Sequence, residues 1–219
     1  MGRLRGFYAS MVGKKVVMGV TGLIGIGFVI LHSLGNLLVF RGPAAINSYS
    51  HFLKSTGELL WALRIVLIVA VILHVIAAVQ LTLQNRAARP IGYAKHESQV
   101  ATLASRTMRW GGVFLLVFIV LHILHFTTGT IKPAGVFTPD VYANVVASFR
   151  IWWVALFYVL AMVALGLHLF HGAWSSVRSI GVSPPSPEPL HRIVSVVTAI
   201  LVWAAFTAVP VAVFTGMVR

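Results

Sequence analysis

The chain has 219 residues, of which 58% are hydrophobic and 10% charged, and it carries a net charge of +13 without any cysteine. Its apolar content exceeds the roughly 45–50% of a typical soluble domain, which indicates a membrane protein. The absence of cysteine excludes disulfides, thiolate-ligated iron–sulfur clusters and a cysteine nucleophile from this chain.

Five stretches carry no Asp, Glu, Lys or Arg and can cross the roughly 30 Å hydrocarbon layer, which needs about 20 helical residues. They are Val16 to Phe40, Ile65 to Asn85, Trp110 to Ile131, Ile151 to Val177 and Ile193 to Val218. The first exceeds the roughly 7 to 15 apolar residues of a signal-peptide core, so we expect it to be retained. The second begins near residue 60 if Arg64 snorkels to the interface.

The sequence therefore predicts an all-α membrane protein, a single integral domain over residues 1–219. Its spans cover about residues 16–40, 60–84, 110–131, 151–177 and 193–217. The alternating strands of an outer-membrane barrel are absent from the sequence. We expect a polar outer loop (RGPAAINSYSHFLKSTGE), a basic inner loop (NRAARPIGYAKHESQ) and a Pro-rich inner turn (SIGVSPPSPEP) between spans. The fifth span, which lacks histidine, is predicted to pack at the edge of a four-helix core.

The basic residues lie at the ends of the spans rather than on one amphipathic face, so they indicate topology and not a nucleic-acid surface. Eleven lie on one side: Arg3, Arg5, Lys14, Lys15, Arg86, Arg89, Lys95, Arg106, Arg109, Arg178 and Arg192. Six lie on the other: Arg41, Lys54, Arg64, Lys132, Arg150 and Arg219. The positive-inside bias predicts an N-terminus in the cytoplasm and a C-terminus outside.

Histidine is almost the only strongly polar residue type inside the spans. Six of the nine histidines lie there: His32, His74, His122, His125, His168 and His171. An ionisable group within a membrane is a functional candidate because its burial without a partner is costly. An interhelical hydrogen bond explains one such histidine equally well, but it does not explain four helices that each carry one at a matching depth.

Helix rise predicts which of these histidines meet. His32 lies eight residues before Phe40 and His122 nine before Ile131, which places both in the outer half of the membrane. His168 lies nine residues before Val177, and His74 nine before Leu83, which places both in the inner half. We therefore predict an outer pair, His32 with His122, and an inner pair, His74 with His168, separated in depth by on the order of 10 Å.

Two imidazoles from facing helices suit iron and would give six-coordinate haem with no open site for oxygen. A zinc protease would need HExxH and a di-iron centre Glu-x-x-His, but the predicted spans contain no glutamate. A c-type attachment would need CxxCH. The pattern therefore predicts two haems b, with His32, His74, His122 and His168 as the iron ligands.

The remaining histidines have weaker assignments. His125 and His171 each follow a predicted ligand by three residues, so we expect them at the membrane edges, where they bond a haem propionate or a quinone oxygen. An interfacial hydrogen bond is the equally weighted alternative. His51 in the outer loop is a further propionate or quinone candidate, whereas His96 and His191 are expected to be solvated.

Five segments carry a resemblance to a known family. They are LHSLGNLLVF around His32, YSHFLKS around His51, VILHVIAAVQL around His74, RWGGVFLLVFIVLHILH ending at His125, and GLHLFHGAWSSVRSIG around His168. Over nearly the whole chain the sequence resembles the di-haem cytochrome b membrane anchor of succinate dehydrogenases and fumarate reductases, the single-chain type of Bacillus and Wolinella. By position, the family's haem ligands fall on the same four histidines, paired in the same way.

The resemblance implies a subunit of a succinate:quinone oxidoreductase in the bacterial cytoplasmic membrane. A flavoprotein and an iron–sulfur subunit would bind its cytoplasmic face, and electrons would pass through the haems to a quinone, most often menaquinone. The complex could form a higher oligomer. The chain itself has no dicarboxylate active site, since it lacks a dinucleotide fingerprint and cluster cysteines.

Quinone contacts are predicted at both ends of the bundle. The outer candidates are His51, Glu58 and His125, and the inner candidates are His171, Trp174, Ser175 and Arg178. Trp and Arg at helix ends are also ordinary interfacial anchors. Gly166 stands where Wolinella-like relatives carry a glutamate used for proton movement, which puts such a path in doubt.

The sequence is also compatible with two other functional hypotheses. The chain could be the di-haem anchor of another respiratory enzyme, such as a hydrogenase or formate dehydrogenase, with the same haems and a different partner. It could also be a non-redox transporter or assembly subunit whose histidines relay protons or pack helices.

Overall fold

A computed structural model describes residues 2–88, 103–181 and 189–219, and this part of the chain is helical and contains no strand. Its helices are α1 (Gly2–Ala9), α2 (Met11–Asn36), α3 (Pro43–Ser55), α4 (Glu58–Ala87), α5 (Leu103–His122), α6 (Val141–Phe149), α7 (Trp152–Ser179) and α8 (Pro189–Phe214). A 3₁₀ segment, Leu37–Arg41, extends α2, and a π-helical segment, Ile123–Thr127, extends α5. Most of the predicted basic loop, with His96, and most of the Pro-rich turn lie outside the described residues.

Within the described residues, five helices are long and apolar enough to cross a membrane. They are Met11–Arg41, Glu58–Ala87, Leu103–Thr127, Trp152–Ser179 and Leu190–Phe214. Helix α4 leaves a long row of large apolar side chains exposed, among them Ile65, Ile68, Ile72 and Val79. An apolar surface of this extent marks contact with lipid or with another protein. The predicted all-α class with five candidate membrane-spanning helices is confirmed.

The connection between α2 and α4 is not the simple polar loop that the sequence suggested. Gly42 turns the chain with a φ of 88°, a conformation that glycine adopts at little steric cost, and Pro43 then begins α3. Ile46 of α3 is buried, and the helix packs against the 3₁₀ segment and α6. The loop prediction is wrong here because the connection has its own apolar anchor, although its composition is polar overall.

The third span ends earlier than predicted, and a helix that was not predicted follows it. The π-helical segment closes the span at Thr127, before the expected end at Ile131. Asp140 then begins α6, where its carboxylate accepts a hydrogen bond of 2.9 Å from the Ala143 amide. This N-cap satisfies an amide that a helix start would otherwise leave unpaired.

Asn47 links α3 to the start of α6. Its Nδ2 donates to the Asp140 carboxylate at 2.8 Å, and its Oδ1 accepts from the amides of Val141 and Tyr142 at 2.9 and 3.2 Å. One side chain therefore pairs two free amides at the start of a helix that lies more than ninety residues away. We call these contacts the Asn47–Asp140 clamp.

The long helices pack in the order α4, α2, α7 and α5, with each helix against the next. Consequently, one helix lies between α2 and α5 in this packing order, and one helix lies between α4 and α7. Helix α8 packs against both α7 and α2, as expected for a packing helix. The largest hydrophobic cluster includes Phe118, Tyr158, Met162 and Val213 from α5, α7 and α8.

Glycines allow α2 to approach α7 closely. A Cβ added at Gly19 would lie 3.3 Å from the Ser176 carbonyl oxygen, and one at Gly22 would lie 3.3 Å from the Ser176 hydroxyl. Small residues at such positions let helix backbones pack tightly within a membrane. This contact places the N-terminal half of α2 beside α7.

Candidate functional site

The outer pair comes together as predicted. His32 of α2 and His122 of α5 have ring centroids 5.9 Å apart, with the ring planes at 76°. Phe28 stacks on His32, and Phe118 stacks on His122. Phe206 of α8 also lies against His32, with ring centroids 5.6 Å apart, so the fifth span contributes directly to the surroundings of this pair.

The inner pair also comes together. His74 of α4 and His168 of α7 have ring centroids 6.2 Å apart, with the planes at 58°. Each pair therefore joins two helices that are separated by another helix in the packing order. The four rings are half-buried.

Both separations suit a single metal ion held between two imidazoles. Two metal–nitrogen bonds of about 2 Å, plus about 1 Å from each nitrogen to its ring centre, give about 6 Å between centroids. Among the described residues, no group of three or more His, Cys, Asp or Glu could hold a metal ion. A metal bound here would take two ligands from the chain and its remaining ligands from another source, such as a porphyrin.

Three helices give nearly the same spacing along the helix axes between the two pairs. Thr21, which contacts His74, lies eleven residues before His32 in α2. Gly112 lies beside His168 and ten residues before His122 in α5, and Tyr158 lies beside His122 and ten residues before His168 in α7. At about 1.5 Å per residue the levels are roughly 15 Å apart, somewhat more than the depth estimate from sequence.

Hydrogen bonds define the tautomer of His74. Its Nδ1 lies 3.1 Å from the Met18 carbonyl oxygen and 3.2 Å from the Thr21 hydroxyl. A carbonyl only accepts, so Nδ1 carries the hydrogen, and Nε2 keeps the lone pair that a metal requires. The Thr21 hydroxyl donates to the Val17 carbonyl at 2.7 Å, which leaves its oxygen free to accept from Nδ1.

The inner pair lies against glycine on two sides. A Cβ at Gly22 would lie 3.4 Å from Cε1 of His74, and one at Gly112 would lie 3.8 Å from Cε1 of His168. Within the described part of the chain, Nδ1 of His168 is buried without a hydrogen-bond partner. Buried polar atoms are rarely left so, and an ordered water or a bound group usually accounts for them. Glycines that leave space beside the two rings and an unpaired ring nitrogen both fit a ligand held at this pair.

The surroundings of His125 differ from the prediction. The residue is only 6% exposed, and its Nδ1 and Nε2 lie 3.0 Å from the Tyr158 hydroxyl and 2.9 Å from the Ser148 hydroxyl. Both ring nitrogens are therefore engaged by protein side chains, which leaves neither for a propionate or a quinone in this arrangement. Hydrogen bonds to α6 and α7, rather than to a propionate or a quinone, therefore describe His125.

Tyr158 connects His125 to the outer pair. Its hydroxyl lies 3.4 Å from Nδ1 of His122, and the two rings meet edge to face with centroids 5.9 Å apart. Sequence reasoning missed this residue, although a signal existed: Tyr158 is the only one of the five tyrosines inside a predicted span. Thr21 gave no comparable signal, because threonine is an ordinary residue of membrane helices. Ser148 gave none because it lies outside the predicted spans.

The other candidates lie near the ends of the helices. His51 and Glu58 are exposed around the connection from α3 to α4. His171, Trp174 and Ser175 are half-buried along α7, and the exposed Arg178 places its guanidinium 5.6 Å from the centre of the Trp174 ring. This cation–π contact is compatible with an interfacial anchor or a polar ligand site, so roles of these residues toward a quinone stay predictions.

The chain was also compared with known proteins. It matches no protein-family model, no curated protein and no solved structure.

Proposed function

We propose that this chain is the membrane anchor and electron-transfer subunit of a succinate:quinone oxidoreductase of the bacterial cytoplasmic membrane. Two b-type haems would be held by His32 with His122 and by His74 with His168. The observation that carries the proposal is the meeting of these four imidazoles in two pairs at two levels. The resemblance of the surrounding segments to di-haem anchors favours succinate chemistry over other respiratory reactions.

The donor set supports haem over a bare metal ion. Each pair offers two neutral imidazoles and no carboxylate, which suits an iron whose remaining ligands are porphyrin nitrogens. When bound, haem b supplies a one-electron redox centre. The chain would hold the group between two helices, keeps Nε2 of His74 unprotonated through the Met18 carbonyl, and stacks a phenylalanine ring on each histidine of the outer pair.

The spacing of the pairs supports a relay across the membrane. Levels roughly 15 Å apart by helix rise cover about half of the roughly 30 Å hydrocarbon layer. One centre would exchange electrons with an iron–sulfur subunit on the cytoplasmic side, and the other would lie toward the opposite side. Menaquinone is the favoured substrate, through the resemblance alone, and the quinone site is sought among His51, Glu58, His171, Trp174, Ser175 and Arg178.

Haem content is the first test. The purified protein, reduced with dithionite, is expected to show a b-type spectrum and a pyridine haemochrome content of two haems per chain. Substitution of His32, His74, His122 or His168 by alanine should lower that content to one, whereas His191→Ala in the first turns of α8 should leave it at two. A protein that takes up no haem would contradict any redox role.

Partner identity is the second test. Mild purification from the native membrane is expected to recover a flavoprotein and an iron–sulfur protein with the chain, and this complex should reduce a menaquinone analogue at the expense of succinate. A di-haem chain that co-purifies with a hydrogenase or a formate dehydrogenase, without succinate activity, would reject the assignment to succinate while keeping the haems.

A further inference from the structure

A buried polar chain runs from α6 to the outer pair. The Ser148 hydroxyl, both nitrogens of His125, the Tyr158 hydroxyl and Nδ1 of His122 follow one another at 2.9, 3.0 and 3.4 Å. Ser148, His125 and Tyr158 are 4%, 6% and 8% exposed. Four polar groups in an otherwise apolar core would be costly unless each one satisfies the next.

The direction of the hydrogen bonds follows from the donors available. If His122 binds a metal through Nε2, its Nδ1 carries a hydrogen and donates to the Tyr158 oxygen. The single hydrogen of Tyr158 then points to His125, whose Nδ1 must accept. His125 consequently carries its hydrogen on Nε2 and donates to Ser148. Each of the three hydrogen bonds then has one donor and one acceptor, and each donor points away from the outer pair.

We infer that Tyr158 is a positioning residue for His122, and that His125 and Ser148 hold the Tyr158 hydroxyl in the orientation that accepts from Nδ1. This inference rests on the proposed function, because its effect is exerted on an iron bound by His122. An acceptor on Nδ1–H fixes the ring tautomer and makes the imidazole a stronger electron donor, which favours ferric over ferrous iron.

The two levels differ in how the ligand ring is held. His74 donates to the Met18 backbone carbonyl, which side-chain substitution does not remove, whereas His122 donates to a side-chain hydroxyl. A change at Tyr158 should therefore alter only the outer centre, and the inner centre becomes a reference within the same molecule.

Tyr158→Phe is the direct test, in the full chain loaded with haem. We expect two haems per chain, a higher reduction potential and altered low-spin electron paramagnetic resonance at the outer haem, and no change at the inner one. Tyr142→Phe is the matched control, because the Tyr142 hydroxyl bonds to the Arg219 carbonyl at 2.9 Å, away from both pairs. Two haems with an unchanged outer potential would overturn the inference and leave the proposed function intact.

A second variant covers the case in which Tyr158→Phe does not fold or loses both haems. Ser148→Ala keeps the tyrosine but leaves Nε2–H of His125 unpaired, and we expect a smaller rise of the outer potential. Ser148→Thr keeps a hydroxyl and should restore the original value. Equal potentials in the Ala and Thr variants would contradict the inference, whereas a wild-type chain without haem would contradict the proposed function and this inference together.

Discussion

The imidazoles of His74 and His168 lie with their centroids 6.2 Å apart, although their helices, α4 and α7, are separated by α2 in the packing order. Helix α2 makes this meeting possible. Its Met18 carbonyl holds Nδ1 of His74, and its Gly22 offers no side chain at the place where a Cβ would touch the same ring. The inner pair therefore depends on a helix that contributes neither histidine.

The pairing predicts how double substitutions behave. Because His74 and His168 would share one iron, His74→Ala/His168→Ala should lose no more haem than either single variant, and one haem should remain. His32→Ala/His74→Ala removes one ligand from each pair and should leave none. Pyridine haemochrome analysis of the purified variants provides the measurement. One haem retained in His32→Ala/His74→Ala would show that these two residues belong to a common site.

Gly22 provides a steric test of the inner pair. A Cβ at this position would lie 3.3 Å from the Ser176 hydroxyl and 3.4 Å from the His74 ring, so Gly22→Leu should displace that ring. We expect the inner haem to bind about 10- to 100-fold more weakly, as when a group that orients a metal ligand is changed. Haem titration followed by absorbance measures this.

Gly25→Leu is the matched control for Gly22→Leu. It lies one turn further along α2, and a Cβ there would meet nothing within 4 Å. The control should keep both haems at wild-type affinity. Equal weakening in the two variants would indicate a general effect on helix α2, and the role given to Gly22 would then be incorrect.

The sequence predicted the long helices and both histidine pairs because each rests on a simple regularity. Uncharged runs reveal spans, and a common distance from the span ends brings His32 to the level of His122 and His74 to the level of His168. The same reasoning did not find α3, since only Ile46 and the Gly42–Pro43 start distinguish it from a loop. It also placed His125 at the membrane edge. The hydropathy of the sequence does not reveal that a π-helical segment, which contains His125, follows α5.

The Asn47–Asp140 clamp predicts a coupled stability effect. Asn47→Ala removes the acceptor for the Val141 and Tyr142 amides and the donor to Asp140, which should cost about 1 kcal/mol per lost hydrogen bond. Asp140→Ala removes the cap of α6 and should cost about 0.5–2 kcal/mol. Since the two residues share a bond, the double variant should cost less than the sum, as measured by unfolding in detergent. Strict additivity would show that the clamp does not act as one unit.

The clamp also predicts a dependence on pH. The Ala143 amide, and then the Asn47 side-chain amide, hold the pKa of the Asp140 carboxyl below its usual value of 3.8. A lowered pKa in the folded protein means that the carboxylate stabilises the fold at pH values above the ordinary pKa of the carboxyl. That contribution is lost as the pH falls through the lowered pKa. The effect should be small because Asp140 is exposed. The protection factor of the Ala143 amide, which is its exchange rate relative to the intrinsic rate at each pH, should fall on acidification in the wild type and change less in Asp140→Asn. Identical protection profiles would contradict this.

The topology gives a test that exploits the lack of cysteine, since every labelled thiol must be an introduced one. With eleven basic residues on the predicted cytoplasmic side and six on the other, the positive-inside bias predicts that the α3 to α4 connection and the C-terminus face outward. Ser55→Cys and Met217→Cys, both at exposed positions, should therefore react with an impermeant maleimide applied to intact cells. Ala88→Cys, exposed at the opposite end of α4, should react only after permeabilisation. The reverse pattern would place His32 and His122 on the cytoplasmic side, and the outer pair would then lie nearest the proposed iron–sulfur partner.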